Sequence, residues 1–179
     1  MALPGGVGVP ALVGLILIGV GTLLHTVGLT TPAWSVIKSS FKTSGSYGLW
    51  KYCELGSCFD YPFGTAVADV FEDCIKTCEA FAILGMLASV LGLATAAISV
   101  VLRVRGKPNN PLFGAISFAG CIASFVFIMI CISVWSAKVN SEFVSLIFDI
   151  GYSFILSTIG GIFICVGGVT FRPAYSSNS

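Results

Sequence analysis

Four long apolar segments alternate with shorter polar segments along the chain. The apolar segments cover residues 7–29, 80–102, 112–135 and 147–171. Each is long enough to cross about 30 Å of hydrocarbon as a helix, and no Asp, Glu, Lys or Arg interrupts the centre of any of them. The pattern therefore predicts an all-α membrane protein built as a bundle of four transmembrane helices.

The longest polar segment, residues 30–79, has a pattern of its own. Apolar and polar residues alternate in AWSVIK (33–38) and in YGLWKYCE (47–54), which is typical of strands with one face on a core. In residues 65–81 the apolar positions instead follow helical spacing. We expect a small antiparallel sheet, followed by a short helix that leads into the second transmembrane helix.

The short connection at 103–111 is basic, since it contains Arg103, Arg105 and Lys107. Basic residues in a short loop mark the cytoplasmic side of a membrane protein. With four spans, both termini, including the tail 172–179, are then cytoplasmic. Residues 30–79 and the shorter loop 136–146 are extracellular.

Composition agrees with a membrane protein, because 56% of the 179 residues are hydrophobic and only 9% are charged. So few charges do not cover a soluble globule of this size. The lipid bilayer is therefore an expected partner. The net charge of +1 gives no indication of nucleic-acid binding.

Seven cysteines divide into two groups, with four in the first polar segment and Cys121, Cys131 and Cys165 inside apolar segments. The first group indicates an oxidising compartment. Cys53 and Cys58 flank ELGS, in which Gly56 supplies a turn, so a hairpin closed by a disulfide is favoured among the three pairings. Cys74 and Cys78 lie one turn apart on a helix, where they either bridge each other or stay reduced. The cysteines inside the spans are interpreted as small packing residues.

Residues typical of catalysis are scarce in this sequence. Its single His, His25, lies in the first span and is expected to face the bundle as a hydrogen-bonding residue. There is no metal-ligand spacing, no Gly-rich phosphate-binding loop and no nucleophile with a neighbouring base. We expect neither an enzyme nor a cofactor or metal site.

Two tryptophans stand out near the start of the first loop, Trp34 and Trp50, and suit either a membrane interface or packing under a small sheet. Together with Gly48, Leu49 and the two cysteines of the hairpin, they follow an apolar helix that ends in TTPAW. This combination resembles the signature of the claudin family, within the superfamily of claudins, peripheral myelin protein and epithelial membrane proteins. The resemblance spans all four helices and is nearest to invertebrate-type claudin-like proteins.

The resemblance implies a function at cell–cell junctions of the plasma membrane. Claudins associate with themselves or with other claudins in cis and in trans, and form a paracellular barrier or an ion-selective paracellular channel. The resemblance assigns the Trp34, Gly48, Leu49 and Trp50 motif to holding the loop. It places a trans contact at Phe143.

The same resemblance places ion selection just after Cys58, where this chain has Asp60. The chain ends in SSNS and lacks the apolar C-terminal residue that PDZ scaffolds bind, so no PDZ partner is implied. A different function stays open, because the calcium-channel gamma branch of the superfamily consists of auxiliary subunits of an ion channel or receptor.

Overall fold

The structure is a computed structural model that describes residues 8–37, 45–61, 69–107, 111–139 and 148–176. Within these residues the chain forms four helices, α1 Val9–Thr30, α2 Asp69–Val104, α3 Pro111–Val139 and α4 Tyr152–Ser176. Each contains a stretch long and apolar enough to cross a membrane. The predicted bundle of four transmembrane helices is confirmed.

Two helices begin at other positions than the apolar segments suggest. The helical segment expected before the second span is continuous with it, so α2 begins at Asp69. The fourth helix begins only at Tyr152, although the apolar segment starts at residue 147. The reason is that Phe148–Ile150 forms a strand, and Gly151 lies between this strand and the helix.

A five-stranded antiparallel sheet lies at one end of the bundle. Its strands are β1 Ser35–Ile37, β2 Gly45–Tyr47, β3 Lys51–Glu54, β4 Ser57–Asp60 and β5 Phe148–Ile150. The spatial order is β4-β3-β2-β1-β5, so β4 and β5 are the edge strands. The predicted small sheet is confirmed, and its fifth strand comes from the segment between α3 and α4.

Backbone-to-backbone contact between glycines holds α1 against α4. A Cβ atom on Gly21 would lie 2.7 Å from the carbonyl O of Gly160, and a Cβ atom on Gly160 would lie 2.7 Å from that of Gly21. Gly14 and Gly167 repeat the arrangement, with distances of 2.9 and 2.8 Å. Without side chains the two backbones approach closely, which is how many membrane helices associate.

The α2–α3 interface uses serine and glycine instead. Ser124 Oγ donates to the carbonyl O of Gly85 at 2.8 Å, and Ser117 Oγ donates to that of Gly92 at 2.9 Å. These two Ser–Gly rungs are seven residues apart on both helices. Each rung satisfies a hydroxyl that would otherwise be buried without a partner.

Two clusters of buried side chains form the core of the described part of the chain. One lies along the bundle and includes Ile18, Ile128 and Ile164. The other, here called the junction core, lies between the sheet and the bundle, and its buried members are Leu29, Trp34, Leu49, Cys74, Ile75, Cys78, Ala82, Cys131 and Trp135. His25 faces the bundle as expected, with Nε2 at 3.2 Å from the carbonyl O of Ala82.

Candidate interaction surface at the sheet end of the bundle

The β3–β4 hairpin forms the outer tip of the sheet. Its turn residues Leu55 and Gly56 have φ of +51° and +85°, and positive φ at both central positions is the mark of a type I′ turn. Cys53 and Cys58 face each other across the hairpin and form the disulfide bond expected from the sequence. The bond closes the hairpin one residue pair behind its turn.

Trp34 caps the sheet-side end of α1 from within the junction core. Its indole Nε1 donates to the carbonyl O of Gly28 at 2.8 Å, one of the last carbonyls of the helix, which have no partner inside the helix itself. The ring is 1% exposed. Trp135 of α3 and Phe154 of α4 pack against it edge-to-face, with centroids 5.4 and 6.0 Å away. Trp34 thus joins three helices to the first strand.

Trp50 caps the neighbouring carbonyl from the surface side. Its Nε1 donates to the carbonyl O of Leu29 at 2.8 Å, while the side chain remains 38% exposed. The two tryptophans of the motif therefore satisfy consecutive acceptors at the end of α1. Both attach the sheet to the same helix.

Gly48 and Leu49 complete this attachment between the two tryptophans. A Cβ atom on Gly48 would overlap Pro32, so only glycine allows the strand to approach the end of α1. The Gly48 N–H donates to Lys51 O at 2.9 Å, and its carbonyl accepts from Tyr61 Oη at 2.7 Å. Leu49 is fully buried in the junction core.

A second attachment lies at the start of α4, on the other side of β1. The N–H of Gly151 donates to Trp34 O at 2.9 Å, and that of Ser153 donates to Ala33 O at 3.0 Å. Ser153 Oγ in turn accepts from the Ala33 N–H at 3.2 Å. These bonds satisfy donors in the first turn of α4, which lack partners inside the helix.

The outer edge of the sheet faces away from all of these contacts. Every residue of β4 is exposed, with Phe59 at 50% exposed and Leu55 of the adjoining turn at 80%. Lys51 Nζ lies 3.6 Å from Asp60 Oδ1 across the hairpin, and both side chains are mostly exposed. Such a pair contributes at most about 1 kcal/mol, but it places a positive charge beside the Asp60 carboxylate.

An aromatic ladder crosses the sheet next to this edge. Tyr52 lies between Tyr47 and Phe59, with ring centroids 6.0 and 5.7 Å away. Tyr47 Oη donates to Glu54 Oε1 at 2.8 Å. Burial, and then the hydrogen bond to Glu54, raise the pKa of Tyr47 to about 12. The ladder stiffens the three outer strands across their shared face.

The family model described as PMP-22/EMP/MP20/Claudin family matches residues 9–171. The chain belongs to this family. The match covers all four helices and the strands between them, so the protein is a multi-pass membrane protein of the claudin superfamily. A comparison with curated proteins finds no match.

In this claudin-superfamily fold the motif residues assemble at one place, the junction between sheet and bundle, whereas Asp60 lies apart from them on the edge strand. Phe143, for which a trans contact was expected, lies outside the described residues. Cys74 and Cys78 are buried and are not joined by a disulfide bond, so the alternative of a bridge between them is not observed. Among the described residues, no group of three or more His, Cys, Asp or Glu side chains is placed to hold a metal ion.

Three residues that join the sheet to the bundle were not identified from the sequence. Trp135 donates from Nε1 to Ser35 Oγ at 3.0 Å, while Gly151 and Ser153 hold α4 to the chain before β1. Gly151 was the available signal, because it interrupts the apolar segment immediately before the helix. Its partner, the carbonyl O of Trp34, is too distant in the chain to be inferred from local pattern.

Proposed function

We propose that this protein is a structural, non-catalytic component of cell–cell junctions in the plasma membrane. It self-associates in cis and in trans, with itself or with other claudin-like proteins, and forms a paracellular barrier or an ion-selective paracellular channel. The sheet faces the extracellular space and both termini face the cytoplasm. The basic residues Arg103, Arg105 and Lys107 lie at the end of the bundle opposite the sheet, which supports this orientation.

The observation that carries the proposal is Leu55 at the tip of the sheet. It is 80% exposed and has a φ of +51°, a conformation that costs an ordinary L-residue roughly 1–2 kcal/mol. Asn, Asp or Gly suits this turn position better. Folding therefore gains little from leucine at this position, whereas an apolar side chain there offers a contact to another protein.

The surroundings of Leu55 suit a contact surface. The exposed ring of Phe59 lies on β4, which is an edge strand of the sheet among the described residues, and an edge strand favours pairing with another chain. The Cys53–Cys58 disulfide and the tryptophan caps fix the tip relative to the membrane helices. A surface that is already ordered loses less conformational entropy when it binds.

Substitution of Leu55 by Asp separates folding from association, because Asp removes the apolar side chain without creating a glycosylation sequon. Because Asp tolerates positive φ, the L55D protein is expected to be at least as stable as the parent in thermal denaturation. It should nevertheless be less enriched at contacts between two cell populations that carry different fluorescent tags. Ser57→Asp, an exposed change of the same charge in the same hairpin, is the matched control and should leave enrichment unchanged. Undiminished enrichment of L55D, at equal surface expression, would refute the role of the tip.

The Lys51–Asp60 pair defines how the proposed channel would select ions. Removing Asp60 leaves the Lys51 ammonium unpaired, and removing Lys51 leaves the carboxylate unpaired. A unit charge attracts or repels an ion at about 4 Å by roughly 1 kcal/mol with bulk-water screening and by about 4 kcal/mol at an effective dielectric near 20. Either change should therefore alter selection even though the pair is nearly neutral.

Dilution potentials across an expressing monolayer test this directly. Asp60→Asn should lower the sodium-to-chloride permeability ratio, Lys51→Gln should raise it, and the double variant should lie near the parent. If neither single substitution moves the ratio, the pair has no part in selection. Raised resistance without any selectivity would identify a barrier.

A further inference from the structure

The series of Ser–Gly rungs between α2 and α3 continues towards the sheet with a pair of cysteines. One heptad beyond the rung of Ser124 and Gly85, the facing residues are Cys131 and Cys78. Cys78 Sγ donates to the carbonyl O of Cys131 at 3.4 Å. The two thiols therefore occupy a closely packed interhelical position, the same one at which serine and glycine meet in the other rungs.

A third thiol adjoins this pair. Cys74 lies one helical turn before Cys78, towards the sheet, with Sγ at 3.9 Å from the carbonyl O of Val134. The Cys78 thiol interacts with the thiols of both Cys74 and Cys131. Cys78 and Cys131 are 0% and 1% exposed, whereas Cys74 is 6% exposed. A reagent therefore reaches Cys74 more easily than it reaches the other two thiols.

We propose that Cys78 and Cys131 are an oxidation site at which an interhelical disulfide links α2 to α3 beneath the sheet. The Cys78 sulfur already contacts the backbone of Cys131 on the facing helix, whereas Cys74 and Cys78 project from one helix, a turn apart. The linkage would fix the part of the bundle on which Trp34 and Trp135 rest. This inference is independent of the proposed junction function.

The oxidant is a low-molecular-weight disulfide of the glutathione type. The Cys74 thiolate attacks one of its sulfurs and releases one reduced thiol, leaving a mixed disulfide on Cys74. Cys78 attacks the reagent's sulfur in this mixed disulfide, takes over the attached group and regenerates the Cys74 thiol, and Cys131 then attacks the Cys78 sulfur and releases the second reduced thiol. In total, two protein thiols lose two electrons and two protons, and the reagent gains them as two thiols.

The test uses the full chain purified in detergent micelles and treated with oxidised glutathione, followed by alkylation and peptide mapping without reduction. The expected product is a peptide pair joined through Cys78 and Cys131, in addition to the Cys53–Cys58 bond. Cys74→Ala should slow formation of the new bond several-fold. Cys165→Ala should leave its rate unchanged.

Two results would overturn the proposal, and both can be read from the unsubstituted protein. One is a bond between Cys74 and Cys78 that leaves Cys131 open to alkylation after unfolding. The other is glutathione attached to Cys74 while both Cys78 and Cys131 remain free thiols.

Discussion

The two tryptophan caps allow one chemical change to be compared in two environments. Trp34 and Trp50 donate to the consecutive carbonyls of Gly28 and Leu29, both at 2.8 Å. Replacing either with Phe removes the donor and keeps an aromatic ring. The environments differ, because Trp34 is 1% exposed and Trp50 is 38% exposed.

The expected losses of stability follow from this difference. Trp34→Phe leaves the Gly28 carbonyl buried without a donor, at a cost of about 1–3 kcal/mol. It also disturbs two edge-to-face contacts, each worth about 0.5–1.5 kcal/mol. In Trp50→Phe, water reaches the vacated acceptor, so the loss is nearer the 0.5–1.5 kcal/mol of an ordinary hydrogen bond. Trp34→Phe should therefore be the more destabilising change by more than about 1 kcal/mol.

Unfolding of both variants and the parent in detergent micelles, followed by far-ultraviolet circular dichroism, measures the difference. Circular dichroism is preferred to fluorescence because the substitutions remove fluorophores. The reasoning predicts that stability against unfolding decreases from the parent to Trp50→Phe and from Trp50→Phe to Trp34→Phe. Equal losses for the two variants would show that burial of the carbonyl does not determine the strength of the cap, and would refute the reasoning.

Three further predictions concern the hairpin, the bundle and the sheet. Cys53→Ser should lower the stability of the sheet by about 2 kcal/mol in the chain-entropy model, while the four helices still insert. Faster proteolysis, restricted to the loop, would show this loss of stability. An unchanged cleavage rate would contradict the prediction. Gly21→Ala places a Cβ atom 2.7 Å from an α4 carbonyl O and should lower the free energy of unfolding by about 1–3 kcal/mol. In the control Gly19→Ala the nearest contact of the new Cβ atom is at 3.9 Å, so thermal stability should change little. Because folding raises the pKa of Tyr47 from 10.0 to about 12, its contribution to stability is complete below pH 10 and is lost as the pH rises through about 12. Absorbance titration should show Glu54→Gln lowering that pKa part of the way, since burial, the larger cause, remains; an unchanged value would exclude the Glu54 contact.

The membrane helices could be predicted because the bilayer imposes one requirement on every span. A segment must be apolar over its whole length and satisfy its backbone internally, and both conditions are visible in the sequence alone. The Cys53–Cys58 hairpin was predictable for a similar reason, since its turn residue and both sulfurs lie within six consecutive positions.

The contacts between the sheet and the bundle could not be predicted in the same way, because they connect distant parts of the chain. Strand β5 has only three residues and runs directly into an apolar segment, so no alternating pattern marks it. The sequence suggested an interface or a packing role for Trp34 and Trp50, but the carbonyls they cap belong to a helix that ends before them. The exposure of Leu55 at positive φ likewise depends on the turn conformation.

Freeze-fracture electron microscopy of cells that otherwise lack junctions tests the central claim most directly. Self-association at cell contacts predicts that expression of this protein alone produces continuous intramembrane strands where two expressing cells meet. The L55D variant, at equal surface abundance, should produce fewer strands. If the parent protein reaches the surface of both cells and no strands form at their contacts, the proposed junction function is wrong.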